Sequence, residues 1–152
     1  AETRTGLRPQ TAASPLCDGK RLAENLMTTI SESLRIAIKH HQAGRLDLAE
    51  ETCRRILAVE PEHAAACYLI GIVAYQKGQL DVAGDFIARA IGLNGSVAAF
   101  HNDLGTVRQR QGSLAEAVAC YRRALELDPG FGQAHYNLAN ALTQMGNLDE
   151  AI

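Results

Sequence analysis

A chain of 152 residues with net charge −2, 47% hydrophobic residues and 5% aromatics can form a core but carries no field strong enough to draw in nucleic acid or acidic lipid. No run approaches the ~18 apolar residues of a membrane-spanning helix, and the first thirty residues hold no apolar core of a secretory signal, although the chain begins at Ala1 rather than Met. The four cysteines, Cys17, Cys53, Cys67 and Cys120, show no CxxC pairing. The last three fall inside helical patterns, where free cysteine acts as a small hydrophobe, so a reducing, cytoplasmic setting is expected.

Residues 1–17 contain Pro9, Pro15 and Gly6 without any period and read as a disordered lead-in or linker. From Asp18 onward, Leu22, Leu26, Ile30, Leu34 and Ile38 recur every four residues. Thr29 and Glu32 have capping-box spacing, which predicts a short N-terminal capping helix over 18–29 followed by a new helix; one long helix to about Ala43 is the alternative. Four copies of one pattern follow, over 30–63, 64–97, 98–131 and an incomplete 132–152. First helices are expected near 31–43, 65–77, 99–111 and 133–145. Second helices are expected near 47–59, 81–93 and 115–127, and almost no strand is expected.

The rows that recur have physical reasons. Gly44, Gly78, Gly112 and Gly146 mark a turn needing positive φ. Leu46, Leu80, Leu114 and Leu148 fill the space beside it. Small residues in the rows Ala37/Gly71/Gly105/Ala139 and Ala49/Ala83/Ala117/Ala151 let the two helices of a copy approach closely. Ile36, Ile70, Leu104 and Leu138 form an apolar row. Ser113 with Glu116, and Asn147 with Glu150, have N-cap and N3 spacing, while Asp47 and Asp81 place negative charge at the same helix starts. Pro61, Gly95 and Pro129 close the complete copies.

With Leu104-Gly105, the run Ala117…Tyr121…Ala124, Pro129, Ile70-Gly71, Ala83, Ile87 and Ala90 in register, the chain over 30–152 resembles the tetratricopeptide-repeat family. A second resemblance is to the arrays that precede the catalytic region of bacterial O-linked N-acetylglucosamine transferase-like proteins; Asn137 fits their asparagine row, while Arg35, Leu69 and Asp103 depart from it. The family resemblance implies an all-α helix-turn-helix solenoid, a right-handed superhelix whose first helices line a concave groove. It implies a non-enzymatic scaffold that binds a protein or extended peptide, with no cofactor, and with neither nucleic acid nor membrane as partner.

Projected on that geometry, the groove candidates are Tyr68, Ile72, Tyr75, Asn102, Thr106, Arg110, Tyr136, Asn137, Asn140 and Gln144. Leu34, Ile38, His41, Leu69 and Asp103 share the same projection. Tyr68, Ile72 and Tyr75 lie on one helical face, which would serve a core as well as a groove. Tyr75 and Asn140 are the better groove candidates, because a polar tip buried without a partner is costly; both should be partly exposed, with Leu104, Leu114 and Ala117 buried. Leu34 and Ile38 stand where a carboxylate clamp for chaperone tails would need Lys and Asn, which argues against that ligand. His40, His41, His101 and His135 lack metal-site spacing, and Arg55, Arg89 and Arg123 read as a solvated face.

The leading expectation is a peptide-binding scaffold. Two rivals remain: the recognition arm of a larger enzyme continuing past Ile152, and a self-associating module. The fourth copy stops inside its second helix, which predicts a fragment of a longer array. The strip Leu138, Leu142, Met145 and Leu148, with Ala141 and Ile152, is then left unpacked on one side and available for homodimer contacts.

Overall fold

The computed structural model describes residues 15–150, with side chains over residues 20–147. Residues 1–14 of the expected lead-in lie outside that range, as do Ala151, Ile152 and the side chain of Leu148. Among the described residues there are seven helices and no strand: α1 (Pro15–Gln42), α2 (Leu46–Val59), α3 (Ala64–Gln76), α4 (Leu80–Leu93), α5 (Ala98–Arg110), α6 (Leu114–Leu127) and α7 (Gly132–Glu150). The chain divides into two compact units, Ala1–Glu32 and Ser33–Ile152. The second holds the helix pairs.

Each turn glycine does what its position demands. Gly44, Gly78 and Gly112 have φ of 74°, 78° and 83°. Around Gly78 the backbone closes a Schellman motif: Gly78 N–H donates to Tyr75 O at 3.0 Å and Gln79 N–H to Ala74 O at 2.9 Å. The same two bonds recur at Gly44–Arg45 and Gly112–Ser113. Ser113 occupies the N-cap of α6, but its side chain makes no capping bond, so the expected capping box is not formed. Asp47 and Asp81 do stand in the first turns of α2 and α4.

Two expected breaks are absent. The helix does not restart at Thr29: α1 is continuous, and residues 15–17 already belong to it. The hydroxyls of Thr28 and Thr29 bond back to Glu24 O and Asn25 O within the helix rather than capping a new one, and no Gly or Pro interrupts Lys20–Ala43. Likewise α7 continues through Gly146 to Glu150, which places Asn147 and Glu150 inside a helix instead of at a cap. Gly146 is not among the positive-φ glycines. At the other three turns the glycine is followed directly by a second helix, α2, α4 or α6.

The small-residue rows set the packing within a copy. A Cβ built on Gly71 would lie 2.5 Å from Ile87 Cγ1, and one on Gly105 would lie 2.6 Å from Tyr121 Cε1. Ile87 and Tyr121 are the same position one period apart, and both are fully buried. The large side chain of the second helix therefore fills the place left by the missing Cβ of the first. Ala37 and Cys53 hold the equivalent sequence positions in copy one, and both are fully buried. Ala49, Ala83 and Ala117 are buried completely.

Packing between copies explains the apolar row. Leu104 packs on Ala74, Ala83 and Ile87 of the preceding copy, and Leu138 packs on Ala117, Val118 and Tyr121. Both are half-buried, as is Leu114. Ile36 begins the row with no preceding helix pair in its unit, and is exposed. Copies are also tied near the turns. Lys77, at the C-cap of α3, contacts Asp47 Oδ1 at 2.6 Å and Glu50 Oε2 at 2.8 Å, and Gln111 donates to Asp81 Oδ1 at 2.8 Å thirty residues back in the same way.

The hydrogen bonds from Lys77 and Arg54 hold the Glu50 carboxyl below its ordinary value of 4.5, and Asp47 and Glu50 hold the Lys77 ammonium above its ordinary 10.5. A depressed carboxyl stabilises the fold above its unfolded pKa, and that contribution is lost as pH falls through the folded pKa. A raised ammonium contributes below its unfolded pKa and loses its effect as pH rises through the folded one. Lys77→Met should therefore lower the melting temperature near neutrality by a small margin. In melts at stepped pH, the difference from the parent should shrink below about pH 4, where glutamate protonates.

Candidate functional site

Successive first helices meet through an offset of one period plus one. Tyr68 Oη donates to Asp103 Oδ2, Asn137 Nδ2 donates to Asn102 Oδ1 at 3.0 Å, and Gln109 Nε2 donates to Gln144 Oε1 at 2.9 Å, each pair 35 residues apart. Arg110 lies over the ring of Tyr75 at 4.8 Å from its centre, with the same separation in sequence. Asn102 Nδ2 also donates to Asp103 Oδ1 at 3.0 Å. These bonds form a lateral polar chain from α3 through α5 to α7. Burial first, and the Asp103 carboxylate second, push the Tyr68 phenol well above its ordinary range.

Beside this chain, α3, α4 and α5 enclose a pocket of about 220 Å³ lined by Ile72, Tyr75, Gln76, Ile87, Asp103, Thr106 and Val107. Three expected groove residues, Ile72, Tyr75 and Thr106, are thus brought together. Ile72 and Tyr75 also pack on the buried cluster Ala74, Ala83, Ile87 and Val107, so one stripe contributes to core and pocket alike. Asp103 joins the lining, and Ile87 and Val107 form its floor.

The other candidates are distributed differently. Asn102 is 4% exposed and its amide is engaged by Asp103 and Asn137, so it ties copies together instead of facing a ligand. Leu69 is likewise buried. Tyr68 stacks on Phe100 at 4.3 Å between ring centres and is half-buried. Tyr136, Asn140 and Gln144 are exposed on α7, and Arg110 is exposed at the end of α5. Asn140 is one period from Thr106 and two from Ile72. Asn137 is half-buried, accepting from Gln133 Nε2 at 3.0 Å as well as donating to Asn102. Gln76 and Gln109 were not singled out from sequence; Gln76 precedes Arg110 and Gln144 by one and two periods, which is the signal that would have found it. In copy one, His41 is half-buried and its Nε2 is enclosed without a partner among the described residues.

The strip on α7 does not stand free as a whole. Leu138 and Met145 pack on Ala117, Val118 and Tyr121, and Ala141 is fully buried, because α6 covers that side; Leu142 remains exposed.

The histidine and arginine rows have structural work. His101 Nε2 bonds Gly95 O at 2.9 Å and His135 Nε2 bonds Pro129 O at 2.8 Å, each closing the loop six residues back. The equivalent carbonyl closing copy one is Pro61 O; Cys67 holds the sequence position of those histidines, and Arg89 Nη2 donates to the carbonyl at 2.7 Å. Arg123 pairs with Glu126 at 2.7 Å, and Arg55 with Glu51, on the exposed face of the second helices. Among the described residues, no group of three or more His, Cys, Asp or Glu side chains is placed to hold a metal. Cys53, Cys67 and Cys120 are free, and burial raises the Cys53 thiol to about 11.

No curated protein matches the chain in sequence. Among solved structures, it is similar to the Thermobaculum terrenum O-GlcNAc transferase mutant K341M, with 29% identity and a TM-score of 0.74 over 77% of this chain and 22% of that one. The chain thus spans less than a quarter of that protein's length. It is similar to MamA, with 24% identity and a TM-score of 0.74 over 87% of this chain and 77% of MamA. It is also similar to the first TPR domain of Spaghetti (RPAP3) bound to the HSP90 peptide SRMEEVD, with 20% identity and a TM-score of 0.74 over 77% and 93% of the two chains. These last two likenesses establish the fold. The family model for the tetratricopeptide repeat matches residues 34–98, and a second, for the TPR repeat, matches 105–146. With three helix pairs in one register and both models covering them, the chain belongs to the tetratricopeptide-repeat family.

Proposed function

We propose that the first-helix face of α3, α5 and α7 binds an extended segment of a partner protein. The observation that carries this reading is the pocket between α3 and α5, which interrupts an otherwise laterally bonded face and continues by period to the exposed amide of Asn140. An asparagine amide both donates and accepts, so it can grip a peptide backbone whatever its side chains. The Spaghetti domain, of the same fold, holds a peptide. The buried free thiols of Cys53 and Cys67 suit a reducing compartment, and we place the protein in the cytoplasm.

Binding to an array of end-blocked peptides, followed by fluorescence anisotropy on the best of them, tests the reading. Asn140→Ala should weaken the selected peptide roughly three- to tenfold, the worth of one hydrogen bond. The melting temperature should hardly move, because Asn140 is exposed. Unchanged affinity, or a large loss of stability with intact binding, would refute the role.

A second reading is that the array selects substrates for a larger enzyme. It is favoured by the 29% identity to an O-GlcNAc transferase of which this chain corresponds to 22%. The coding sequence after Ile152 decides it: a glycosyltransferase-like region would make this array its recognition arm. Self-association through α7 rests, among the described side chains of the strip, on Leu142, and sedimentation across a concentration series would detect it.

A further inference from the structure

We infer that the pocket between α3 and α5 receives a lysine or arginine side chain of the bound peptide, its methylenes against Ile72 and Val107 and its charged head on Asp103. The inference rests on the reading that this face binds a peptide, and it names what the peptide must carry.

The volume, about 220 Å³, is below the roughly 300–1,000 Å³ of small-molecule sites and suits a single side chain. Its floor is aliphatic: Ile72, Ile87 and Val107. A long cationic side chain matches this combination, because its stem is apolar and only its end is charged. Asp103 is the sole formally charged residue in the lining. Among the described residues, Asp103 makes no ion pair; the acidic members of the ion pairs are Asp47, Glu50, Glu51, Glu116 and Glu126.

The carboxylate is also pre-oriented. Tyr68 Oη donates to Oδ2 and Asn102 Nδ2 donates to Oδ1. Both donors are neutral, so the negative charge is held in place without being cancelled. A carboxylate has about four acceptor positions, so each oxygen keeps capacity for one further donor, as an ammonium or a guanidinium fork requires. Arg110 is the nearest competing cation on the same helix face. It lies seven residues on, about 10 Å along the axis. Its guanidinium is seated over Tyr75. Held on that ring, Arg110 forms no ion pair with Asp103, whose charge stays available to an incoming cation.

The test is a random, end-blocked decapeptide library panned on the whole chain. Lysine or arginine should be enriched at one fixed position of the retained peptides. Asp103→Asn, which keeps the shape and the Tyr68 and Asn102 contacts within reach but removes the charge, should abolish that enrichment while still retaining peptides. Replacing the selected lysine by norleucine should weaken binding to the parent protein by roughly ten- to hundredfold. That peptide-side measurement stands even if the Asp103 variant folds poorly. Affinity of the lysine peptide should also fall with added salt more steeply than that of the norleucine peptide. Selection of acidic residues, a basic preference that survives Asp103→Asn, or equal binding of the lysine and norleucine peptides would overturn the inference and leave peptide binding intact. Retention of no peptide at all would overturn both.

Discussion

Gly105→Leu should lower the melting temperature by roughly 2–12 °C, corresponding to about 1–3 kcal/mol of overpacking. The cause is local. Even a methyl at Gly105 would meet the Tyr121 ring at 2.6, 2.8 and 3.1 Å. The ring cannot retreat, because Tyr121 is fully buried and its hydroxyl donates to Gln109 Oε1 at 2.8 Å. Leucine gains up to about 1 kcal/mol of helix propensity over glycine, so the measured loss is what remains after that gain. Gly84→Ala is the natural control. Its Cβ would meet Arg108 Nη1 at 3.5 Å and Val107 Cγ1 at 3.6 Å, which is ordinary contact. Propensity then dominates, and the melting temperature should rise slightly. Equal melting temperatures for Gly105→Leu and its parent would show that the crossing of α5 and α6 is looser than its geometry indicates.

Ile87→Ala should cost more, about 2–5 kcal/mol, because a fully buried side chain leaves a cavity its neighbours only partly fill. Ile87 packs with Ala74, Ala83 and Val107 and also floors the pocket, so peptide binding should weaken together with stability. Its contact with Gly71 makes a sharper test possible. Gly71→Ala alone should destabilise, since its Cβ would sit 2.5 Å from Ile87 Cγ1. In the Ile87→Ala background the same change should cost much less. Rescue should be incomplete, because Ala83 O and Ile87 N, both backbone, lie 3.2 Å from that Cβ. Denaturant melts of the four proteins give the coupling energy directly. Strict additivity would mean that Gly71 is not small on account of Ile87.

The recurrence of small residues, turn glycines and closing prolines made the helix pairs legible from sequence. The helices of copies two and three begin and end within one residue of their expected bounds. The breaks expected at Thr29 and Gly146 are absent. The Thr29 hydroxyl bonds back to Asn25 O inside α1, and Gly146, unlike Gly44, Gly78 and Gly112, does not take positive φ and stays within α7.

The site was legible in part. Spacing put Ile72 and Tyr75 on one helical face, the family resemblance added Thr106 to the same projection, and the three line one pocket. Asn102 could not be told from Asn140 in that way. Both are amides on first helices, yet one is buried between copies and the other is exposed. The sequence by itself determined that the two helices of a copy approach closely, because small residues recur in register on both and a defined turn joins them; the structure added that Ile87 and Tyr121 fill the places left at Gly71 and Gly105. Only the tertiary structure decided which residues meet across copies. Stacking rotates each copy so that a residue faces the one 35 positions on, not its 34-residue equivalent. That rotation is set by side-chain volumes at the interface between copies as a whole, and no single row records it.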